Sequence, residues 1–307
     1  MRVIVALGGN ALLKRGEPMT AEIQRANIRK AAASLADLAR DHEIVVAHGN
    51  GPQVGLLALQ AAAYKDVVPY PLDILGAESV GMIGYLVEQE LANAMPEGAR
   101  LATLLTQVEV SRDDPAFMRP EKPIGPVYTQ DEAGSARNLH GWSMVEETSG
   151  SWRRVVSSPF PRRITQIDTI RLLVEAGVTV ICAGGGGIPV VRDEEGHLQG
   201  LEAVIDKDRA AGLLAAELGA DAFLMLTDVD AVYDGWGTPG ATPIRQTTPE
   251  ELVGRAFAAG SMGPKVEAAC TFAASRAGMA GIGRLEDARA ILEGRMGTVV
   301  KTKHSAL

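Results

Sequence analysis

Apolar residues recur along this chain in two alternating rhythms. Short β-branched runs at Val3–Leu7, Glu43–His48, Val178–Ala183, Ala222–Thr227, Met279–Gly283 and Thr298–Lys301 read as strands. Longer alanine-rich stretches with helical spacing lie between them, at about Ala21–Asp41, from about Pro52, and at Glu78–Asn93, Thr165–Ala176, Asp208–Leu218, Lys265–Ala277 and Leu285–Glu293. Arg100–Val110 reads as a further strand. This alternation predicts βαβ units and a parallel sheet covered on both faces, which is the α/β class. One stretch breaks the rhythm: Asp113–Pro161 carries Pro115, Pro120, Pro123, Pro126, Pro159 and Pro161 with no sustained period. So long a structureless loop is improbable inside a compact domain, so a small excursion subdomain with short strands of its own is expected there, acting as a lid. The loop Tyr233–Pro249 is expected to line a cleft in the C-terminal half.

Composition narrows the class without choosing a function. A chain of 307 residues, 46% apolar and 22% charged, fits one large globular domain or two coupled lobes. The net charge of −8 argues against a general nucleic-acid surface. Cys182 and Cys270 stand far apart outside any CxxC spacing, which disfavours a disulfide framework or structural zinc and fits a reduced, cytoplasmic setting. Gly8-Gly9-Asn10 cuts the first apolar run too early for a signal peptide, and the uncharged run Gly177–Val191 is shorter than the ~20 residues of a membrane helix, so no membrane partner is expected.

The candidate chemistry sits in turns. Three strand-like runs end in glycine: Leu7-Gly8-Gly9-Asn10, His48-Gly49-Asn50-Gly51 and Ala183-Gly184-Gly185-Gly186-Gly187. Ligands of open parallel sheets bind beyond the carboxyl ends of the strands, and glycine there lets backbone N–H groups approach an anion. No P-loop, dinucleotide fingerprint, EF-hand, GxSxG or HExxH motif is present. Lys122, Lys207 and Lys265 lie in Pro/Gly turns or at predicted helix starts, where an ammonium adds to the positive end of the helix dipole and suits a phosphoryl group. Asp206 and Asp208 flank Lys207 and are candidates to orient it or help hold Mg²⁺, or simply to cap a helix.

The segments GGNAL at 8–12, HGNGPQVG at 48–55, TQV at 106–108, KPIGP at 122–126, WRRVV at 152–156, AGGGGIPV at 183–190, VIDKD at 204–208, TDV at 227–229 and GSMGPKVE at 260–267 together resemble the carbamate kinases of the amino-acid kinase superfamily. The resemblance implies an open three-layer αβα sandwich with a mainly parallel sheet of about eight strands and a small protruding subdomain. It implies one domain over 1–307, with an acceptor-binding lobe of about 1–220 that includes the excursion 113–161, and a nucleotide-binding lobe of about 221–307. It further implies a homodimer acting on small molecules: ATP/ADP with Mg²⁺ held mainly through the phosphates and by no protein ligand, and carbamate/carbamoyl phosphate. Carried over by residue, Gly8, Gly9 and Asn10 face the transferred phosphoryl group and Gly49, Asn50 and Gly51 bind the acceptor. Lys122, Lys207 and Lys265 neutralise phosphate charge, and Asp206 organises the lysines. Gly184, Gly185, Thr227, Asp228, Tyr233, Met262 and Gly263 lie by the nucleotide. The residue chemistry agrees, since phosphoryl transfer depends on positioning and charge neutralisation and carbamate needs no deprotonation. Two rivals share these features: another small-acid or nucleotide kinase of the superfamily with a larger acceptor pocket, and a non-catalytic nucleotide-binding sensor.

Overall fold

The computed structural model describes residues 1–302 except 15, 65, 67, 259, 260, 276 and 277. Its central layer is an eight-stranded sheet in the order Gln246–Thr247, Thr298–Val300, Met279–Arg284, Ala222–Thr227, Arg2–Leu7, Glu43–His48, Thr179–Ile181, Leu101–Thr103. The six strands from Met279–Arg284 to Leu101–Thr103 pair in parallel, and Thr298–Val300 runs antiparallel to Met279–Arg284. Alternation along Val3–Leu7 explains why both faces are covered. Val3, Val5 and Leu7 pack with Ile28 and Leu35 of the helix Ala21–Ala39 and with Ile83 and Leu91 of Leu72–Ala94. Ile4 and Ala6 belong to the opposite core, with Ile170, Ala210, Leu214 and Phe272 of the helices Ile167–Glu175, Lys207–Glu217 and Met262–Ser275. Burial of both sets gives the three-layer αβα sandwich.

Several elements differ from the periodicity reading. The helix expected at Glu78–Asn93 starts at Leu72, whose N–H donates to Glu202 Oε2 at 2.6 Å, a cap supplied from far along the chain. Arg100–Val110 is two strands: Leu101–Thr103 edges the main sheet, and Gln107–Glu109 joins Leu198–Gly200, Ile188–Arg192 and Arg163–Ile164 in a second sheet. The break falls at Thr106, whose Oγ1 accepts from Ala183 N–H at 2.9 Å and whose carbonyl accepts from Ile188 N–H at 2.8 Å.

Within the excursion, Lys122–Tyr128, Met144–Thr148 and Ser151–Val156 form a three-stranded antiparallel sheet beside a helix, Gln130–His140. That helix was invisible to periodicity because it buries only Ala133 and Ala136, yet its ends are signed locally. Thr129 and Glu132 form a capping box, and Gly141 ends it at φ +67°. The excursion meets the helix Gly51–Ala63 backbone to backbone, since a Cβ on Gly55 would lie 1.9 Å from Gly125 Cα. Gly55→Ala is therefore expected to push the excursion off its seat and cost about 1–3 kcal/mol, the range for overpacking, as read from denaturant unfolding. An unchanged midpoint would show that this contact yields freely.

Candidate functional site

The strand ends line up. Leu7 pairs in register with His48 on one side and Leu226 on the other, so the turns after these three strands emerge side by side. Gly8 N–H donates to Leu226 O at 2.7 Å and Gly49 N–H to Leu7 O at 3.3 Å, which continues the sheet for one residue before the chain turns. Of Asn10 the structure describes only the backbone, in the 3-10 turn Gly9–Ala11. Above this row lies a cleft of about 1050 Å³ lined by Gly8, Gly9, Gly49, Asn50, Gly51, Gly185, Lys122, Asp206, Lys207, Asp208, Thr227, Asp228, Tyr233, Met262 and Lys265, among others. Gly51, Lys207 and Met262 are first residues of helices, so three helix N-termini give it positive partial charge.

The four-glycine turn packs against the loop that follows the strand Glu43–His48. Ala183, Gly185, Gly186 and Gly187 all have φ between +50° and +93°. A Cβ on Gly185 would meet the Asn50 amide at 2.2 Å, and one on Gly184 would meet His48 Nε2 at 2.4 Å. The turn thus packs against Asn50, whose Nδ2 donates to Ser79 Oγ at 2.8 Å, and against the buried His48. Burial holds the His48 pKa down to about 4, so its ring is neutral at working pH and supports the turn.

The charged residues form a connected set. Asp208, 4% exposed, accepts from Lys207 Nζ through Oδ1 and from Lys265 Nζ through Oδ2, each at 2.7 Å. Burial opposes ionisation of Asp208, but the two ammonium groups hold its carboxyl far below the usual range. Asp206 pairs instead with Lys122 of the excursion sheet, and its Oδ1 caps the helix Lys207–Glu217 by accepting from Asp208 N–H at 2.9 Å and Arg209 N–H at 3.3 Å. Sequence reasoning made Asp206 the organiser of the lysines. In the fold that work is divided, and Asp208 holds the two buried ones. Lys207 also runs beside Gly49, with its Cδ and Cε 3.4 Å from where a Cβ would stand.

Burial pushes the Lys207 pKa down to about 8 against the pull of Asp208 and with the help of Lys265 repulsion, whereas Asp208 raises that of Lys265 despite its burial. A catalytic cation at position 207 would be lost as pH rises past 8. For the phosphotransferase that the resemblance implies, the kcat/KM profile of the free protein is therefore expected to fall above about pH 8, and the kcat limb should lie higher, because bound phosphate would stabilise the ammonium. A kcat/KM profile flat to pH 9.5 would take Lys207 out of that role.

On the far wall, Tyr233 OH donates to Asp230 Oδ1 at 2.8 Å, Arg245 pairs with Asp230 at 3.0 Å, and the exposed Trp236 lies edge-on to Tyr233 at 5.2 Å. Thr227 Oγ1 donates to Asp228 Oδ1 at 3.1 Å. Gly184 does not line the cleft, and Gly263 lines a neighbouring pocket with Val266 and Cys270 that shares Phe257 with it. Gly260 is outside the described residues. Glu147 and Arg153 also line the cleft, although sequence reasoning assigned neither.

Residues 1–280 match the amino acid kinase family. A carbamate kinase of Rhizobium meliloti is 54% identical over 307 residues, 99% of this chain and 94% of its own. That of Escherichia coli K12 is 52% identical over 97% of this chain and 98% of its own. A structure of carbamate kinase from Giardia lamblia bound to AMP-PNP superposes with a TM-score of 0.88 at 37% identity, covering 98% of each chain.

Proposed function

The chain belongs to the amino acid kinase family, in its carbamate kinase branch, and from that membership we infer that it transfers a phosphoryl group reversibly between ATP and carbamate, giving ADP and carbamoyl phosphate. The observation that carries this reading is Asp208 holding two ammonium groups on the floor of a cleft bounded by glycine turns. A loose phosphoryl-transfer transition state needs in-line positioning and fixed positive charge more than a nucleophile or base.

In this reading Gly8, Gly9 and Asn10 border the group in flight, and Gly49, Asn50 and Gly51 hold the acceptor. Lys207 and Lys265 stabilise charge on the transferred oxygens. Lys122 reaches in from the excursion, which acts as a lid that excludes water. The nucleotide takes the other end, along Thr227, Asp228, Tyr233, Trp236 and Met262. That end belongs to a nucleotide-binding part after about residue 220.

The residues also fit Mg²⁺ carried mainly by the nucleotide's phosphates. Lys122, Arg153, Lys207 and Lys265 on the cleft walls are matched by Glu147, Asp206, Asp208 and Asp228, so the lining offers a polyphosphate no surplus of cations. Asp206 and Asp208 already serve lysines. An ion held through phosphates and water supplies the missing charge without a dedicated protein cage, the usual habit of Mg²⁺.

We also read the protein as a homodimer. Ile74, Met82 and Tyr85 are exposed on the helix Leu72–Ala94, with exposed Leu105 beyond it, an apolar surface suited to a second copy. Sedimentation velocity measures this. Cys182 and Cys270, both free thiols, support a cytoplasmic setting, and no described helix is long and apolar enough to cross a membrane.

The decisive experiment is a coupled assay of ATP formation from ADP and carbamoyl phosphate, run in parallel with acetylglutamate, glutamate, aspartate and UMP as acceptors for ATP. Turnover of carbamoyl phosphate and none of the larger acceptors is expected. An ADP-binding chain that forms no ATP and phosphorylates none of the other acceptors would be a sensor, and one that phosphorylates one of them would be the other kinase.

A further inference from the structure

The segment WRRVV at 152–156 places two arginines side by side on a strand of the excursion, and the fold sends them opposite ways. Arg154 is 8% exposed and lies over the Trp142 ring at 4.1 Å, and Arg137 covers Trp152 in the same small core. Arg154 therefore fastens the excursion together. Arg153, one residue earlier, faces the other side and lines the cleft. Its Nε is buried without a hydrogen-bond partner, and its Nη1 stands 3.7 Å from Glu147 Oε2, a residue that also lines the cleft.

This pairing is a weak use of a guanidinium. The Glu147 side chain is 40% exposed, the separation is longer than a hydrogen bond, and exposed ion pairs of this kind contribute little. A phosphoryl group offers the planar fork of an arginine several oxygens at once and a larger charge. Arg153 is also placed to reach one. Lys122, from the neighbouring strand of the excursion sheet, lines the same cleft, and it already touches the cleft floor through Asp206.

We propose that Arg153 is a second phosphoryl-binding cation of the excursion, held in check by Glu147 until the phosphoryl group of carbamoyl phosphate draws it away. The proposal rests on the carbamate kinase reading and extends it to a residue pair, one member attracting the substrate and the other competing with it. The opposite signs of the two members set it apart from a structural role, in which both substitutions would weaken the enzyme alike.

The test measures KM for carbamoyl phosphate in the ATP-forming direction, with ADP affinity by calorimetry and melting curves alongside. Arg153→Gln is expected to raise KM for carbamoyl phosphate tenfold to a hundredfold, the fold-change of a lost charge-assisted hydrogen bond, and to leave the ADP dissociation constant within about twofold. Arg153→Lys should recover part of this. Glu147→Gln should lower the same KM roughly two- to fivefold, as expected when an exposed competing ion pair is removed. If Arg153→Gln misfolds, Arg153→Lys and Glu147→Gln still decide. A Glu147→Gln enzyme whose KM is unchanged or raised overturns the proposal, as does a folded Arg153→Gln enzyme with native KM. A native chain with no turnover would instead remove the reading on which the proposal stands.

Discussion

Replacing Asp208 with Asn should reduce turnover by about 10³-fold or more, the largest loss we expect from one substitution in this chain. The amide keeps the shape of the carboxylate but removes the charge that holds Lys207 and Lys265, each 2.7 Å away. Lys207 already releases its proton near pH 8 because it is buried. Without Asp208 its pKa falls further, and a larger share of it is the neutral amine at pH 7. One preorganised electrostatic donor is worth about 10²–10³ in kcat, and here one donor is discharged while the other loses its anchor. The buried cations should also make the variant less stable, by less than the ~3–5 kcal/mol of a broken buried pair because Lys207 can shed its charge. Steady-state rates in the ATP-forming direction, with melting curves to confirm folding, test this. A folded Asp208→Asn enzyme within tenfold of the native rate would refute the bridging role.

Lys207→Met should cost about 10²–10³-fold in kcat, roughly 3–4 kcal/mol, with a much smaller change in KM for the nucleotide. Its ammonium is fixed by Asp208 and its stem runs beside Gly49, so the charge is in place before the substrate arrives. Lys207→Arg should rescue only in part, because a planar fork does not fit where a compact charge is packed against glycine. The two sites act as a unit, so the Asp208→Asn/Lys207→Met double variant should be little worse than the poorer single. Fully additive losses would mean that Lys207 and Asp208 serve separate steps, and a folded Lys207→Met enzyme with near-native kcat would exclude Lys207 from the chemistry.

The parts of this molecule that could be read in advance are those that depend on short stretches of chain. Strands such as Arg2–Leu7 and Ala222–Thr227 announce themselves by unbroken apolar runs, and the glycine turns after them by composition. Lys122, Lys207 and Lys265 stood out because proline, glycine or a helix start fixes the backbone around each. What could not be read was which carboxylate meets which lysine. Asp208 meets Lys265 across 57 positions and Asp206 meets Lys122 across 84, distances that no spacing rule spans. The orientation of Arg153 was hidden for the same reason, since only the register of the excursion sheet separates it from Arg154. The helix Gln130–His140 is the exception, a local element missed because two alanines are too small to mark a face, although its caps were legible.

The row His48–Leu7–Leu226 has a mechanical meaning. Three neighbouring parallel strands stand about 4.8 Å apart, so the loops that rise from them are held at separations set by the hydrogen-bond ladder. The three loops to which we assign the acceptor, the phosphoryl group and the nucleotide are therefore spaced by a ruler about 10 Å long that cannot stretch without breaking the sheet. In many two-lobed enzymes a hinge must swing donor and acceptor together. On our assignment of the loops, their spacing here is fixed when the sheet forms, and substrate-driven movement would have only to cover the site.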